Sequence, residues 1–306
     1  MSRYRKPERL GSFRRFALAF WKPPSDGTIY GTLFVDATNF LALAKKVEAE
    51  HGVKLTPGHL IGKGLALGMR AAPSFNSKVI WGTIYQKETV DMYFQVDVEG
   101  GKDLSGVLIE RADEKSIVEI AKELQEKAKN LRSGKDNRYE KTQKGFFAKL
   151  PPWIINRVLR FLCFLDFNLG LPLTFLPGVE RDPFGTCMCT NVGHFGIDIA
   201  YAPLIPVTRV GVIGLVGRIT DEPMVVNGKI EIRPRLTGSA TFDHRLGNGA
   251  EIGKLVRTAR AFYENPHADP TPGGVSPVPA ASTTAAPGST NGQPAPVADA
   301  SATKPA

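Results

Sequence analysis

The junction between a strand pattern and a helix pattern around residue 244 restricts the fold of this chain more than any other stretch. Residues 230–242 have the composition of a strand, and residues 250–263 place apolar side chains at helical spacing. His244 stands between the two patterns, in a turn that contains Gly247. A histidine held at such a junction can act as a general base toward a thiol or a hydroxyl group. We therefore expect a strand, a turn and a helix in succession, with a reactive imidazole at the turn.

Strand and helix patterns alternate along most of the 306 residues. Strands are predicted at 28–35, 104–110, 185–191, 210–218 and 230–242, and residues 79–98 predict a hairpin followed by a strand. Helices are predicted at 39–50, after Thr56-Pro57, after Ser116 and at 250–263. Asn227-Gly228 predicts a tight hairpin turn before the last strand. This order indicates an α/β fold (an α+β two-layer sandwich) in which helices cover a mixed sheet.

The helix after Thr56 has an unusual glycine content. It contains Gly58, Gly62, Gly64 and Gly68. Each glycine weakens a helix by roughly 1 kcal/mol relative to alanine, but it also allows another backbone to come close. We expect this helix to be buried against the sheet.

The composition changes near the C-terminus. From Asn265 onward the chain is rich in Pro, Ala, Ser, Thr and Gly. Such a segment lacks the apolar side chains that offset the entropy of ordering. Residues 267–306 are therefore predicted to be a disordered tail, and residues 1–13 an N-terminal arm.

The charge and the cysteines bear on partners and location. A net charge of +9 favours phosphate groups, but the basic residues are spread along the chain, so no nucleic-acid partner is predicted. Cys163, Cys187 and Cys189 have no metal-ligand spacing and suit a reducing compartment. We expect no disulfide and no metal. No secretory signal pattern is recognised at the N-terminus, and a cytoplasmic location is expected.

Several stretches resemble the catalytic core of the 2-oxoacid dehydrogenase acyltransferases (dihydrolipoamide acyltransferases), which belong to the chloramphenicol acetyltransferase-like superfamily. Residues 241–250 resemble the His-x-x-x-Asp-Gly signature, with Asn248 in place of Asp. Residues 186–197 resemble the segment Thr-x-Ser-Asn-Leu-Gly-x-Phe-Gly, with Thr190 in place of Ser. Residues 97–124 look like the strand-turn-strand that lines the acyl channel and the helix after it. The resemblance covers about 14–266, which we take as the catalytic domain, and it implies the chloramphenicol acetyltransferase-like mixed sheet.

The resemblance also implies a mechanism. His244 would take the proton from the thiol of coenzyme A, or from another acceptor, as it attacks an acyl carbonyl. The Thr190 hydroxyl would donate a hydrogen bond to the oxyanion, a kind of contact worth about 3 kcal/mol in the transition state. In the family these two groups meet across a subunit boundary, which implies a homotrimer, with further assembly into a cage left open.

Asn248 leaves two outcomes open. The family Asp is ion-paired with an N-terminal arginine, for which Arg14 and Arg15 are the candidates. Asn keeps a hydrogen-bond acceptor but loses the charge-assisted pair. Either the loop is held by amide hydrogen bonds and the chain is active, or the chain is a non-catalytic trimer or cage scaffold. We favour activity, because this residue supports the base and does not transfer the proton.

Other residues near these motifs have alternative roles. Asn191, Gly193 and Gly249 are predicted to contact coenzyme A as a substrate, while Asn191 could instead only fix a turn. His194 is expected in a turn or at the channel mouth, and Asp243 and Arg245 are expected to form a scaffold ion pair. Cys187 and Cys189 are expected to be buried on one strand face. No lipoyl domain is recognised before Arg14, so we expect no covalently attached lipoyl group. The acyl donor is then a diffusible thioester or a carrier on another chain.

Residues 141–182 interrupt the resemblance and predict an amphipathic helical hairpin. Trp153, Phe161 and Leu162 alternate with Arg157 and Arg160 in this insertion. The charges and prolines argue against a membrane span. We favour packing of the insertion on its own protein or on a neighbouring subunit. The alternatives are contact of residues 144–177 with a membrane surface, as in a lipid acyltransferase, or a wall for a long acyl chain.

Overall fold

The computed structural model describes residues 27–97, 104–133, 152–171 and 182–271. The predicted N-terminal arm, Arg14 and Arg15, both ends of the predicted insertion, and the tail beyond residue 271 lie outside the described residues. The first half of the domain contains β1 (Thr28–Asp36), α1 (Thr38–His51), α2 (Pro57–Ala71), β2 (Ser77–Ile80), β3 (Thr83–Gln86), β4 (Met92–Asp97), β5 (Leu104–Ile109) and α3 (Ile117–Arg132). The second half contains α4 (Pro152–Cys163), which continues in a π-helical turn (Phe164–Asn168), then β6 (Cys187–Asn191), β7 (Val212–Val226), β8 (Lys229–Asp243) and α5 (Gly249–Glu264).

Six of these strands form one mixed sheet in the order β1-β8-β7-β6-β4-β5. Strand β6 runs parallel to both β4 and β7, and the other neighbours are antiparallel. Strands β2 and β3 form a separate hairpin. The predicted α/β architecture with a mixed sheet is confirmed.

Helix α2 packs directly onto the sheet and onto α5, and its glycines make this possible. Most of its residues are buried. A Cβ added at Gly64 would collide with the Tyr263 ring, and one at Gly68 would lie 2.8 Å from the carbonyl oxygen of Leu255. The predicted burial of this helix is confirmed, and the glycines are required by the closeness of α5.

The opposite face of the sheet has a smaller apolar cluster. Met188, Ile213 and Leu215 are buried there, covered by Val192 and Leu204 from the segment between β6 and β7. Cys187 and Cys189 lie on the helix-covered face and are buried, as predicted. Because side chains alternate along a strand, Thr190 shares the face of Met188.

The last hairpin is longer than the sequence indicated. The Asn227-Gly228 turn is confirmed, but β7 continues to Val226 after an irregularity between Val216 and Ile219. Asp221 and Pro223 are poor strand formers, so the sequence pattern ended the strand too early. Pairing with β8 stabilises the part of β7 that follows the irregularity.

Contacts with the folded domain continue past Pro266. The side chain of Asp269 is fully buried, 3.8 Å from the Lys63 ammonium. It accepts a hydrogen bond from the backbone N–H of Ile117 at the start of α3. A buried ion pair thus fixes the chain as far as Asp269, three residues past the predicted boundary at residue 266.

The described part of the insertion packs on its own protein. The Trp81 indole donates to the carbonyl of Asn168 at 2.9 Å, and its ring meets Phe164 edge to face. The Cys163 thiol donates to the carbonyl of Val207 at 3.2 Å. The favoured interpretation of the insertion is thus confirmed for residues 163–168. None of the helices in the described ranges is long and apolar enough to cross a bilayer.

Candidate functional site

The loop that carries His244 connects β8 to α5 and is held at several points. The His244 backbone N–H donates to the Gly27 carbonyl at 2.7 Å. Arg245 and Asp243 form the predicted ion pair, with 2.6 Å between Nη2 and Oδ2. Leu246 is buried, and a Cβ at Gly247 would lie 2.7 Å from the Phe75 ring. The loop is therefore fixed while the His244 side chain remains exposed.

One contact indicates which tautomer the neutral His244 ring adopts. Its Nδ1 lies 3.0 Å from the Gly247 carbonyl oxygen. A carbonyl can only accept, so Nδ1 carries the hydrogen when the ring is neutral. This leaves Nε2 with a lone pair that can take a proton from a nucleophile.

Asn248 is the N-cap of α5. Its Oδ1 accepts hydrogen bonds from the backbone N–H groups of Ala250 at 2.9 Å and Glu251 at 3.3 Å. The Glu251 carboxylate in turn accepts from the Asn248 backbone N–H at 3.0 Å, and this contact is the main cause that lowers the pKa of Glu251. Amide hydrogen bonds thus hold the end of the His244 loop. Gly249 begins the helix, and a Cβ there would meet no atom within 4 Å.

Thr190, Asn191 and Gly193 lie together at the end of β6. Thr190 is half-buried. The Asn191 Oδ1 accepts a hydrogen bond from the Gly193 backbone N–H at 3.0 Å, so this side chain does fix the turn. A Cβ at Gly193 would collide with the backbone of Gly217, which explains this glycine without a ligand. His194 follows in an exposed short helical turn, as predicted.

The two groups of site residues lie at opposite ends of the sheet. Thr190 is in register with Leu215, and Leu215 with Ser239, two strands away on β8. His244 is five residues beyond Ser239. This corresponds to roughly 17 Å along the strand and roughly 10 Å across, or about 20 Å between Thr190 and His244 within one protomer.

A basic groove lies beside Asn191, where the first turns of α2 meet the C-terminal part of α3. Its volume is about 790 Å³, and its lining includes Lys54, Lys129 and Arg132. Its described lining contains no carboxylate. The groove therefore has the charge to attract anionic groups.

His59 also lines this groove and stays neutral. Burial lowers its pKa from 6.5 to about 4. Its Nδ1 accepts a hydrogen bond from the Thr56 backbone N–H at 3.0 Å, so its proton is on Nε2. Sequence reasoning missed this residue and the three cations, because they lie on separate elements and share no motif. In the described ranges, no cluster of His, Cys, Asp and Glu could hold a metal ion.

Comparison with known proteins identifies the family. The family model described as 2-oxoacid dehydrogenases acyltransferase (catalytic domain) matches residues 28–148 and 184–268. A dihydrolipoyllysine-residue acetyltransferase component of the acetoin cleaving system from Bacillus subtilis is 24% identical over 241 residues, covering 78% of this chain and 49% of the relative. The corresponding component of the pyruvate dehydrogenase complex from the same organism is 26% identical, covering 76% of this chain and 43% of the relative. The chain thus spans less than half the length of these curated relatives.

Solved structures share the fold. A probable dihydrolipoamide acetyltransferase from Listeria monocytogenes superposes with a TM-score of 0.56 at 21% identity, covering 85% of this chain and 94% of that chain. A dihydrolipoamide acetyltransferase from Azotobacter vinelandii gives 0.56 at 21% identity, covering 80% and 84%. That structure was studied for the role of a serine, a histidine and, four positions after the histidine, an asparagine in its catalytic mechanism. His244 and Asn248 have the same spacing.

The family match covers about two thirds of the 306 residues and includes both the Thr190 and the His244 regions. The solved structures share the fold. The chain therefore belongs to the 2-oxoacid dehydrogenase acyltransferases, with which it shares the catalytic domain.

Proposed function

We propose that this protein transfers an acyl group between coenzyme A, or another thioester, and an acceptor, with His244 as the general base. The observation that carries this proposal is the exposed His244 ring whose Nδ1 is bound by the Gly247 carbonyl. Its Nε2 would take the proton from the attacking thiol and later return it to the leaving thiol.

Thr190 would donate its hydroxyl hydrogen to the oxyanion that forms on the acyl carbonyl. Because Thr190 and His244 are about 20 Å apart within one protomer by strand register, the pair must come from two protomers. A homotrimer in which the Thr190 end of one protomer meets the His244 loop of the next would supply three such sites.

The basic groove supports coenzyme A as the thioester. Lys54, Lys129 and Arg132 would hold its phosphates close to Asn191. His59 would add a neutral N–H donor, because its pKa is near 4. In this arrangement the groove holds the anionic part of the donor.

Asn248 would keep the histidine loop in place through the N-cap of α5. The expectation that an asparagine here departs from the family loses force, since a relative studied for its catalytic mechanism has an asparagine at the same spacing. We therefore favour an active enzyme over a scaffold that has lost turnover.

The test is an acyl-transfer assay with acetyl-CoA as donor and dihydrolipoamide as acceptor. His244→Ala should lower kcat by a factor on the order of 10² to 10⁴, the range of general base catalysis. His51→Gln, which removes an exposed histidine at the end of α1, is the matched control and should keep the wild-type rate. A full rate in His244→Ala would refute the base. A wild-type trimer that transfers no acyl group from short or long thioesters would favour the scaffold.

A membrane-surface role is the second candidate, supported by exposed apolar side chains around the insertion. Phe161 is 60% exposed, Leu169 52% and Trp81 61%. Such residues beside Arg160 resemble an interfacial surface. Phe161→Asp should abolish sedimentation of the protein with anionic liposomes, with Leu41→Asp on α1 as control. Absence of sedimentation by the wild type would remove this candidate.

A further inference from the structure

An apolar cavity lies between α5 and β1, on the helix-covered face of the sheet. Its volume is about 90 Å³. The sheet contributes residues with small side chains or none, Gly31 of β1 with Gly238 and Ala240 of β8. Helix α5 contributes aliphatic side chains, among them Ile252 and Val256, which are only half-buried. Apolar surface therefore stays accessible in this groove, which we call the α5–β1 groove.

The cavity suits an apolar group of limited size. Two hydroxyl groups of its lining already have partners: the Tyr263 hydroxyl donates to the Ile61 carbonyl at 3.0 Å, and the Thr32 hydroxyl is hydrogen-bonded to that of Tyr201. The described lining contains no charged side chain. Sites for small molecules measure about 300 to 1,000 Å³. A side chain of a protein segment therefore fits this cavity better than a free substrate does.

The α5–β1 groove runs beside an edge strand of the sheet. Strand β1 pairs with β8 on one side, and no strand in the described ranges pairs with its other side. An edge of this kind presents unpaired N–H and C=O groups, to which a strand of another chain can add unless the edge is covered. A segment that filled the cavity would also lie along this edge.

The chain in front of β1 carries an apolar stripe. The described residues begin at Gly27, so residues 1–26 lie outside them. Ser12 is a favoured N-cap residue, and Pro23 ends a helical pattern. Between them the large apolar side chains and one alanine recur at helical spacing: Phe13, Phe16, Ala17, Phe20 and Trp21. The sequence of residues 13–21 therefore predicts a short amphipathic helix, with Leu18 on the side away from the stripe.

The dimensions of this segment agree with those of the groove. A helix over residues 13–21 would be about 14 Å long, and the part of α5 that lines the cavity, from Ile252 to Tyr263, is about 17 Å long. Residues 22–26 span up to about 17 Å when extended. Gly31 lies about 13 Å from Gly27 along β1. The segment can therefore reach the groove of its own protomer.

We propose that residues 13–21 dock as a helix in the α5–β1 groove of the same protomer, with a phenylalanine ring in the cavity. The docked segment covers the edge of β1 and keeps it from pairing with other chains. This inference does not rest on the proposed function, and none of its tests uses acyl transfer.

The first test measures hydrogen exchange of the amides of residues 13–21 by mass spectrometry. A helix this short is marginal in water on its own, so slow exchange in the wild type indicates docking. Phe16→Asp and Phe20→Asp should raise the exchange rate about tenfold or more, because a carboxylate does not enter an apolar cavity without a partner. Leu18→Asp is the matched control and should change the rate less than about twofold. Fast exchange in the wild type, or equal effects of the three variants, would overturn the proposal.

The second test changes the groove and leaves the segment intact. A Cβ added at Gly31 would meet only the Phe242 ring, at 3.8 Å, so Gly31→Leu places its side chain in the cavity without a clash at the backbone. The exchange rate of residues 13–21 should again rise about tenfold, while the amides of β7 and β8 stay protected. Lys254→Leu, on the exposed side of α5, is the control. Unchanged exchange of residues 13–21 in Gly31→Leu would contradict docking at this place.

A cross-link identifies the chain that supplies the segment. A short bismaleimide should join the two cysteines of Phe20→Cys/Val256→Cys within one chain, and those of Leu18→Cys/Val256→Cys about tenfold less. Cys187 and Cys189 are buried, and peptide mapping separates any product of Cys163. A product between two chains would assign the segment to a neighbouring protomer, and the absence of any product would leave the groove without this occupant. Either result would refute the proposal.

Discussion

His59 is a buried histidine that is only 4% exposed, at the start of α2. Burial lowers its pKa to about 4 in the folded protein, against 6.5 for an ordinary histidine. The folded state therefore stays unprotonated between these two values, while the unfolded chain binds a proton. The stability that His59 contributes is complete above pH 6.5 and is lost as the pH falls toward 4.

This argument gives a measurable acid sensitivity. The wild type should lose about 3 kcal/mol of its unfolding free energy between neutral pH and pH 4 through this residue. His59→Gln keeps an oxygen that can accept from the Thr56 N–H but cannot titrate, so its stability should fall less over that range. Urea unfolding at several pH values measures this, with His51→Gln as the control. If the unfolding free energy of His59→Gln fell with pH as steeply as that of the wild type, the titration of His59 would not be the cause of the acid sensitivity.

The second prediction at the residue scale concerns the contribution of the Thr190 hydroxyl group to activity. Thr190→Ala should lower kcat by a factor of about 10² to 10³, as the loss of one oxyanion donor does elsewhere. Thr190→Ser keeps the hydroxyl and should retain most of the activity. Comparable losses in both variants would indicate that Thr190 acts through packing and not as a donor.

At the scale of elements, the α2 glycines set how closely α5 approaches. Gly68→Ala gains about 1 kcal/mol of helix propensity, but its Cβ would lie 2.8 Å from the carbonyl oxygen of Leu255. Since backbone cannot move aside as a side chain can, we expect a net destabilisation of about 1 to 3 kcal/mol. In Gly58→Ala the nearest atom is the Thr56 hydroxyl at 3.5 Å, so this control should not lose stability. The urea concentration at the midpoint of unfolding, measured for Gly68→Ala, Gly58→Ala and the wild type, tests this expectation.

A second prediction at this scale concerns the C-terminal end of the domain, around Asp269. Lys63 is buried, which lowers its pKa to about 8, and Asp269 is one of the carboxylates that counteract this shift. A chain truncated after Pro266 loses this partner and the acceptor of the Ile117 N–H, and it should be less stable by about 1 to 3 kcal/mol, because the Lys63 ammonium still donates to backbone carbonyls. A chain truncated after Thr271 should melt like the full-length protein. Equal melting temperatures for both truncations would show that Asp269 contributes nothing.

The elements that the sequence predicted well have a strong local pattern. Ser116 was predicted to open α3, and it does so with Glu119 in a capping box. The continuation of β7 through Pro223 and the docking of Asp269 depend on distant partners, and a local pattern contains no information about them. The site divides in the same way: His244 and Asn248 share a short motif, whereas Lys54 and Arg132 meet only after folding.

At the scale of the whole molecule, the proposed active site needs two protomers, which a mixing experiment can show. His244→Ala and Thr190→Ala chains should each be nearly inactive. Mixed trimers formed from equal amounts should recover about one quarter of wild-type activity, because half of the protomers supply each group to a shared site. Co-expression with two affinity tags provides the mixed species. No recovery in verified mixed trimers would place both groups in one protomer and contradict the proposal.

The separation of Thr190 from His244 along the sheet has a consequence for how output depends on protein level. An isolated protomer would contain both the Thr190 hydroxyl and the His244 imidazole and would still be inactive. Turnover would then rise more steeply than in proportion to the amount of protein, until association is complete. Dilution alone would thus stop turnover, without a change in the fold of the protomer and without an inhibitor.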